Sequence, residues 1–334
     1  MDISATETPD RSGTAGKVAA LMTVTVVVPV YNSQGILPLL IQRLEPVLNS
    51  CASEYEAILV DDCSNDRSWE VITELMKQYS WVLGIRLMRN FGQHNALLCG
   101  VRVARYEVTV TLDDDLQNPP EEIPKMLALL GEECDVVYGT PDQQQHGVLR
   151  DLASTITKLA LQSAMGAETA RCVGAFRVFR TQVRDAFASY KSPYVSIDVL
   201  LTWGTTRFAA ATVRHDPRTI GRSGYTLGRL VRHAMNLMTG FSTFPLQAAS
   251  IIGFIFTFFG VFVLAYVVGR YLLYGRTVAG FPFLASIISI FAGAQLFALG
   301  IIGEYLARMH FRTMDRPPYT IRSAILRGKE HRNE

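Results

Sequence analysis

The sequence predicts an α/β domain with a doubly wound, mainly parallel sheet, followed by a hairpin of two transmembrane helices. Short apolar runs rich in Val, Ile and Leu are separated by segments of helical periodicity. Runs that are continuously apolar, rather than alternating with polar residues, are typical of strands buried on both faces of a parallel sheet. Near the end of the chain, residues 248–268 and 281–302 contain no Asp, Glu, Lys or Arg, and each run is long enough to cross a bilayer.

The composition excludes several classes of protein. A chain of 334 residues that is 49% hydrophobic and 19% charged is too apolar to be disordered. A net charge of +2 argues against a wholly basic nucleic-acid binder, so we expect no nucleic-acid partner. The five cysteines form no CxxC pair of the kind found in zinc or thioredoxin-like sites, which favours a reduced, cytosolic domain.

The order of these features predicts six segments. They are a flexible tail over residues 1–22, the α/β domain over 23–224, a juxtamembrane amphipathic helix over 225–245, transmembrane helices over 246–274 and 281–306, and a basic cytoplasmic tail over 307–334. Within the domain we expect strands at Val24–Val30, Ala57–Val60, Val82–Leu87, Val108–Leu112, Val136–Tyr138 and Val173–Phe179.

Basic residues predict the orientation of the hairpin in a cell inner membrane. Arginines cluster before the first apolar segment and after the second, whereas the connection between them contains only Arg270 and Arg276. Because Lys and Arg are enriched in cytoplasmic loops, we expect the α/β domain and both termini in the cytoplasm. The flanking arginines are Arg214, Arg218, Arg222, Arg229, Arg232, Arg308, Arg312, Arg316 and Arg322.

Three adjacent carboxylates, Asp113 to Asp115, follow a predicted buried strand directly. Such a cluster is tolerable when solvated, but at the carboxyl end of a parallel strand a divalent cation explains it better. Alternate residues of an extended segment point to the same side, so Asp113 and Asp115 can face one ligand while Asp114 faces away. Oxygen ligands favour Mg²⁺ or Mn²⁺, which commonly accompany phosphates.

A second acidic pair, Asp61 and Asp62, ends the predicted strand at Ala57–Val60. A carboxylate at this position, as at Asp62, can accept hydrogen bonds from a nucleobase or a ribose. Asp66, a few residues later, is better explained as the cap of the helix that begins near Arg67. The loops contain neither GxGxxG nor GxxxxGK[ST], which disfavours a dinucleotide enzyme or a P-loop NTPase.

Four motifs follow the predicted strands in order: VVPVYN (27–32), VDDCSND (60–66), RNFGQHNAL (89–97) and LDDDLQNPPEEIP (112–124). They resemble the motifs of inverting family 2 glycosyltransferases, whose nucleotide-sugar-binding domain has the GT-A fold. With the two carboxy-terminal spans, the chain is most similar to the branch that acts on polyprenyl phosphates. This branch includes dolichyl-phosphate mannose synthase, bacterial polyprenyl-phosphate glucosyltransferases and the 4-deoxy-4-formamido-L-arabinose transferases.

The resemblance implies a role for each matching residue. Donor nucleotide-sugar binding is implied for Pro29, Tyr31, Asp62, Arg89, His94 and Asp113. Asp113 and Asp115 would be the catalytic DxD pair, with Asp115 and Gln117 contacting the Mg²⁺ or Mn²⁺ cofactor. Arg218 matches an R..GxSxY loop near the membrane and would act in catalysis. The side chains expected around the acceptor phosphate are Arg218, Arg222, Ser223, Arg229 and Arg232.

Three positions depart from the family pattern. Ser33 replaces the Glu that commonly follows the YN pair, Gly224 replaces the Lys of GxSKY, and Cys172 replaces an Asp that often precedes GxFR and is the usual candidate for a catalytic base. A lipid phosphate monoester has a second pKa of roughly 6, so its attacking oxygen needs little general-base assistance at neutral pH.

The sequence therefore predicts a metal-dependent transfer of a sugar from a nucleotide sugar, which we expect to be UDP-linked, to a polyprenyl phosphate such as undecaprenyl phosphate. The lipid-linked sugar would supply a cell-envelope glycan or a lipid modification. A second hypothesis is a membrane-tethered nucleotide-sugar-binding or assembly protein without catalysis. A processive synthase would need further helices and a QxxRW segment, and the sequence has neither. Small residues in the spans, such as Gly253 and Gly293, would permit a homo-oligomer.

Overall fold

A computed structural model of the chain describes residues 22–141, 173–216, 244–275, 280–326 and 329–332. In these ranges nine strands form one sheet in the order β7-β5-β6-β4-β1-β2-β3-β8-β9. The strands are β1 (Met22–Val30), β2 (Ala52–Asp61), β3 (Val82–Leu87), β4 (Val108–Thr111), β5 (Val136–Pro141), β6 (Arg177–Arg180), β7 (Phe208–Val213), β8 (Ile321–Leu326) and β9 (Lys329–Arg332).

Most of the sheet is parallel. Strand β1 lies between β2 and β4 and is parallel to both, β3 continues the same direction beside β2, and β5 is parallel to β7. Strand β6 runs against β4 and β5, and β8 runs against β3. The prediction of a mainly parallel α/β sheet is confirmed, and the carboxyl ends of β1 to β4 share one edge.

Helices cover both faces of the sheet, as its apolar strands require. They are α1 (Leu37–Cys51), α2 (Ser68–Gln78), α3 (Gln93–Val103), α4 (Ile123–Leu127) and α5 (Ile197–Gly204), with short 3-10 helices at Pro120–Glu122 and Thr181–Phe187. Alternate residues of β1 belong to opposite cores: Val26 packs on the face that holds α1, and Val27 packs on the face that holds α3 and α5. A Cβ atom at Gly100 of α3 would overlap the Val27 side chain, so this glycine lets α3 lie close against β1.

Two long helices, α6 (Phe244–Tyr274) and α7 (Phe281–Thr313), follow the domain. Their windows Pro245–Leu273 and Ile290–His310 have mean hydropathies of 2.6 and 1.6, and both helices are long and apolar enough to cross a membrane. The rings of Phe256 and Phe291 meet edge to face at 5.7 Å between centroids. The second helix continues beyond the predicted end at residue 306.

The structure differs from the predicted basic tail over residues 307–334. Strand β8 pairs antiparallel with β3 along Gly84–Leu87, and β9 pairs with β8. The reason is that β3 would otherwise present an unpaired edge, and a short strand with the exposed Arg322 and the buried Ala324 covers it. Two other predicted segments, the flexible tail before Met22 and the amphipathic helix before Phe244, lie outside the described residues.

Candidate active site

The loops after β1 and β2 interlock at the carboxyl edge of the sheet. The backbone N–H of Asn32 donates to Ser64 Oγ at 3.0 Å, and the N–H of Asn65 donates to Asn32 Oδ1 at 2.8 Å. The N–H of Ser33 donates to Ser68 Oγ at 2.8 Å. Because each loop satisfies polar groups of the other, the two form one preorganised surface.

Tyr31 stands on this surface with 46% of its area exposed, and its hydroxyl lies 3.5 Å from Asn65 Nδ2. An exposed aromatic ring on a rigid loop suits stacking against a planar ligand. Pro29 is different, since it is buried within β1 and paired in register with Val60. In this structure Pro29 therefore offers no exposed surface for the implied contact with a donor base.

The acidic pair after β2 is hydrogen-bonded to the protein itself. Asp61 is fully buried, accepts from the backbone N–H of Ser64 at 2.9 Å and forms an ion pair with Arg86 at 3.2 Å. Asp62 accepts from the backbone N–H groups of Phe91 at 2.7 Å and Gly92 at 2.8 Å. Asp62 thereby holds the loop between β3 and α3, a role that sequence reasoning missed.

Burial raises the pKa of Asp62 to about 6, even though the two backbone N–H donors favour its ionised form. The loop that it holds turns sharply at Gly92, whose φ of 98° favours glycine. A contact of Asp62 with a base or ribose stays a prediction.

The β3–α3 loop carries two of the expected donor-site residues. Arg89 is exposed and its guanidinium lies 4.5 Å from the centroid of the Phe91 ring, in a cation–π contact. His94 lies in the first turn of α3, and its Nδ1 accepts from the backbone N–H of Ile197 at 3.3 Å. Because Nδ1 accepts, the neutral imidazole carries its proton on Nε2.

The three aspartates after β4 have different hydrogen-bond partners. Asp113 Oδ1 accepts from Gln93 Nε2 at 2.6 Å, and Asp115 Oδ1 accepts from the backbone N–H of Gln117 at 3.1 Å. Asp114 instead turns to the β1 loop, where Oδ2 accepts from the backbone N–H of Tyr31 at 3.2 Å. Gln93 was missed as a site residue, and its only signal is its position at the start of α3 after Gly92.

The residues after β4 fit a cation that binds together with a ligand. Within the ranges that the structure describes, no group of three or more His, Cys, Asp or Glu side chains is arranged to hold a metal ion. Asp113 and Asp115 supply the carboxylate oxygens that Mg²⁺ and Mn²⁺ prefer, and Mg²⁺ is commonly held by one or two carboxylates plus substrate phosphates and water. The donor set is therefore compatible with either ion.

The segment that follows β7 contacts the loop after β4. The backbone N–H of Asp216 donates to the carbonyl of Gln117 at 2.8 Å, and His215 Nδ1 lies 3.4 Å from Asn118 Oδ1. The expected acceptor-phosphate residues follow shortly afterwards and lie outside the described residues. They are Arg218, Arg222, Ser223, Arg229 and Arg232.

A buried ion pair behind β4 was not predicted. Arg177 Nε and a second guanidinium nitrogen bind the two carboxylate oxygens of Asp198 at 2.6 and 2.9 Å, and Arg177 also reaches Thr111 Oγ1 at 3.3 Å. Burial disfavours both charges, but their attraction outweighs it, so the pKa of Asp198 lies below its usual value and that of Arg177 above. Because Thr111 ends β4, the pair braces the strand that delivers the aspartates.

Comparison with known proteins identifies the family. The family model described as glycosyl transferase family 2 matches residues 25–187, which include all four strand-end loops. Undecaprenyl-phosphate 4-deoxy-4-formamido-L-arabinose transferase of Yersinia enterocolitica is 32% identical over 305 residues, covering 90% of this chain and 93% of that protein. The corresponding transferase of Enterobacter sp. is 33% identical over 315 residues, covering 93% of this chain and 96% of that protein.

The chain is a family 2 glycosyltransferase. Similarity at this level over nearly the whole length, membrane helices included, places it in the polyprenyl-phosphate branch of that family. This confirms the predicted family, the GT-A fold class and the glycosyltransferase activity. Among solved structures, glucosyl-3-phosphoglycerate synthase of Mycobacterium tuberculosis aligns with this family 2 enzyme at a TM-score of 0.49 and 16% identity, covering 65% of this chain and 79% of that one.

Proposed function

We propose that this glycosyltransferase moves a sugar from a nucleotide sugar, UDP-linked in our expectation, to undecaprenyl phosphate or a related polyprenyl phosphate, with inversion at the anomeric carbon. The observation that carries the proposal is the similarity, over 90% of the chain, to transferases named for undecaprenyl phosphate. It is supported by strand-end loops that join an exposed aromatic ring to a pair of carboxylates.

On the donor side, Tyr31 would stack on the base, while Arg89 and His94 would line the diphosphate. Asp113 and Asp115, with Gln117, would hold Mg²⁺ or Mn²⁺. A bound divalent ion would neutralise charge on the diphosphate leaving group. Gln93 orients Asp113 through its 2.6 Å hydrogen bond, as partners of metal-binding carboxylates commonly do.

On the acceptor side, we expect a role for Arg218, which follows Asp216 by two residues in the sequence. The backbone N–H of Asp216 donates to the carbonyl of Gln117 in the aspartate loop. A guanidinium at position 218 would be able to bind phosphate bidentately. Arg222, Ser223, Arg229 and Arg232 follow within the segment that leads to the membrane.

The reaction depends more on neutralising the negative charge of the donor and acceptor phosphates than on a strong base. An oxygen of the lipid phosphate would attack the anomeric carbon as the bond to the diphosphate oxygen breaks, which gives inversion. With a second pKa of roughly 6, the phosphate is already mostly deprotonated at neutral pH. The Cys172 substitution is therefore compatible with turnover.

We further propose that the catalytic domain lies on the cytoplasmic face of the inner membrane. Strands β7 and β8 belong to one sheet although α6 and α7 separate them in the chain, so both ends of the helix pair return to the same side. The flanking arginines favour the cytoplasm as that side. A membrane-impermeant maleimide should label an introduced cysteine at Thr277 in intact cells, and one at Glu133 only after lysis; the reverse would contradict this topology.

The transfer reaction is tested directly with the purified full-length protein. It is incubated with undecaprenyl phosphate, Mg²⁺ and a panel of UDP-sugars, and the lipid is analysed by mass spectrometry. The proposal predicts one lipid-linked sugar with a single donor or a narrow set of donors. Binding of a nucleotide sugar without any lipid product would favour the non-catalytic binding protein instead.

A further inference from the structure

Asp114 joins the loop after β1 to the aspartate loop after β4. Its Oδ2 accepts from the backbone N–H of Tyr31 at 3.2 Å and from the hydroxyl of Ser33. The β1 loop is itself fixed to the β2 loop through Ser33 N–H and Ser68 Oγ at 2.8 Å. One carboxylate thus connects a rigid, aromatic-bearing surface to the residues proposed to hold the metal ion.

The side chains of Ser33 and Asp114 meet directly. The Ser33 hydroxyl donates to Asp114 Oδ2, so an acidic side chain at position 33 would bring a second carboxylate close to Asp114. Two ionised carboxylates within about 4 Å repel each other, and one of them must take up a proton or move. The site therefore accommodates a carboxylate from position 33 or from position 114, but not from both.

We propose that Asp114 is a positioning residue that couples nucleotide binding at Tyr31 to metal binding at Asp113 and Asp115. The coupling rests on the proposed function of these loops. The coupling follows from chain geometry. Asp114 is joined by peptide bonds to Asp113 and Asp115, and its side chain holds the loop that carries Tyr31. Coupling of this kind is reciprocal, so Mn²⁺ should tighten UDP and UDP should tighten Mn²⁺.

The experiment uses the full-length protein, with UDP and Mn²⁺ as probes, and four variants: Asp114→Ala, Asp114→Asn, Ser33→Glu and Ser33→Glu with Asp114→Ala. Calorimetry measures UDP affinity with and without Mn²⁺, and kinetics give KM for the donor and kcat. Asp185→Asn, an exposed aspartate remote from these loops, is the matched control. Nucleotide binding does not require turnover, so these measurements remain informative even if no sugar is transferred.

We expect Asp114→Ala to weaken UDP binding in Mn²⁺ by about tenfold, since hydrogen bonds to a charged group are lost, and to reduce the enhancement by Mn²⁺ similarly. KM should rise more than kcat falls. Asp114→Asn keeps an acceptor oxygen and should lose clearly less UDP affinity than Asp114→Ala. Ser33→Glu should be impaired, and adding Asp114→Ala to it should restore affinity.

Two results would overturn the proposal. One is an Asp114→Ala variant whose UDP affinity and Mn²⁺ enhancement match those of the wild type. The other is a double variant that is no better than Ser33→Glu alone, because a shared site for one carboxylate requires rescue. If Asp114→Ala does not fold, two measurements still test the proposal. They are the comparison of Ser33→Glu with the double variant and the loss of UDP affinity in Asp114→Asn.

Discussion

Two acidic clusters in this enzyme follow β2 and β4, the strands on either side of β1, yet the protein uses them differently. The carboxylates after β2 are bound to the protein: Asp61 to Arg86 and the Ser64 backbone, and Asp62 to the backbone of the next loop. After β4, Asp113 is oriented by the Gln93 side chain, and Asp115 accepts from a backbone group two residues away. Both carboxylates of the first cluster fasten loops together, whereas in the second cluster Asp114 has that role and Asp113 and Asp115 are the proposed metal ligands.

The difference shows that an acidic pair at a strand end is not by itself evidence of a ligand site. What separates the clusters is the partner of each carboxylate. Asp61 has a cation from β3, and Asp62 has two backbone donors from the following loop, so both carboxylates have partners within the fold. Variants in the two clusters should separate a role in stability from a role in chemistry.

The largest effect is expected for Asp115→Asn. Loss of a proposed metal ligand should reduce transfer by at least about 100-fold, because the charge on the departing diphosphate is no longer offset. The melting temperature should change little, since the amide can still accept from the Gln117 backbone N–H. Initial rates and a thermal melt, with Asp185→Asn as control, check this; near-normal rates would place the metal elsewhere.

The opposite pattern is expected for Asp61→Asn. Removing the charge opposite Arg86 should cost about 2 kcal/mol of stability, less than in a fully buried pair because Arg86 is partly exposed. The melting temperature should fall by roughly 4–8 °C, while kcat at 20 °C stays near the wild-type value.

A double variant, Asp61→Asn with Arg86→Met, controls for the unpaired arginine. It should recover part of the stability that Asp61→Asn loses. A large drop in kcat without a change in melting temperature would mean that Asp61 takes part in chemistry, and the distinction between the clusters would fail.

A smaller effect concerns the pH dependence of stability through Asp62. Its pKa in the folded protein is about 6, above the ordinary value of 3.8, so the folded state takes up a proton in this window that the unfolded chain does not. The contribution of Asp62 to stability therefore decreases as pH rises from about 4 to 6. Melting temperatures of wild type and Asp62→Asn across this range should show a less negative slope for the variant; parallel curves would contradict the shift.

Much of the central sheet could be predicted because its strands are buried on both faces. The predicted bounds of β1, β3 and β4 agree with the structure to within two residues. Strand β2 begins earlier than expected, at Ala52, because its first half pairs with β1 alone and tolerates the exposed Ser53 and Glu54. Strand β8, which lies between β3 and the edge strand β9, differs from the predicted tail for a similar reason, since charged residues near the edge of a sheet hide its periodicity.

Parts of the candidate site could be predicted where the order of the motifs indicates the residues. Contacts between residues that are distant in the sequence could not be predicted. The aspartates at 113 and 115 follow from their position after a buried strand. The contact between Gln93 and Asp113, and the ion pair of Arg177 with Asp198, join different elements and leave no periodic signal in the chain. The same holds for Asp114, whose partner lies in the β1 loop.

We expect the carboxylates after β4, and not those after β2, to hold the metal ion. Electron paramagnetic resonance can measure Mn²⁺ binding in the presence of UDP without depending on turnover. The wild type and Asp61→Asn should bind Mn²⁺ with similar affinity at 20 °C, whereas Asp115→Asn should lose this binding. Equal Mn²⁺ binding by Asp115→Asn, or its loss in a folded Asp61→Asn variant, would show that the metal ion lies elsewhere.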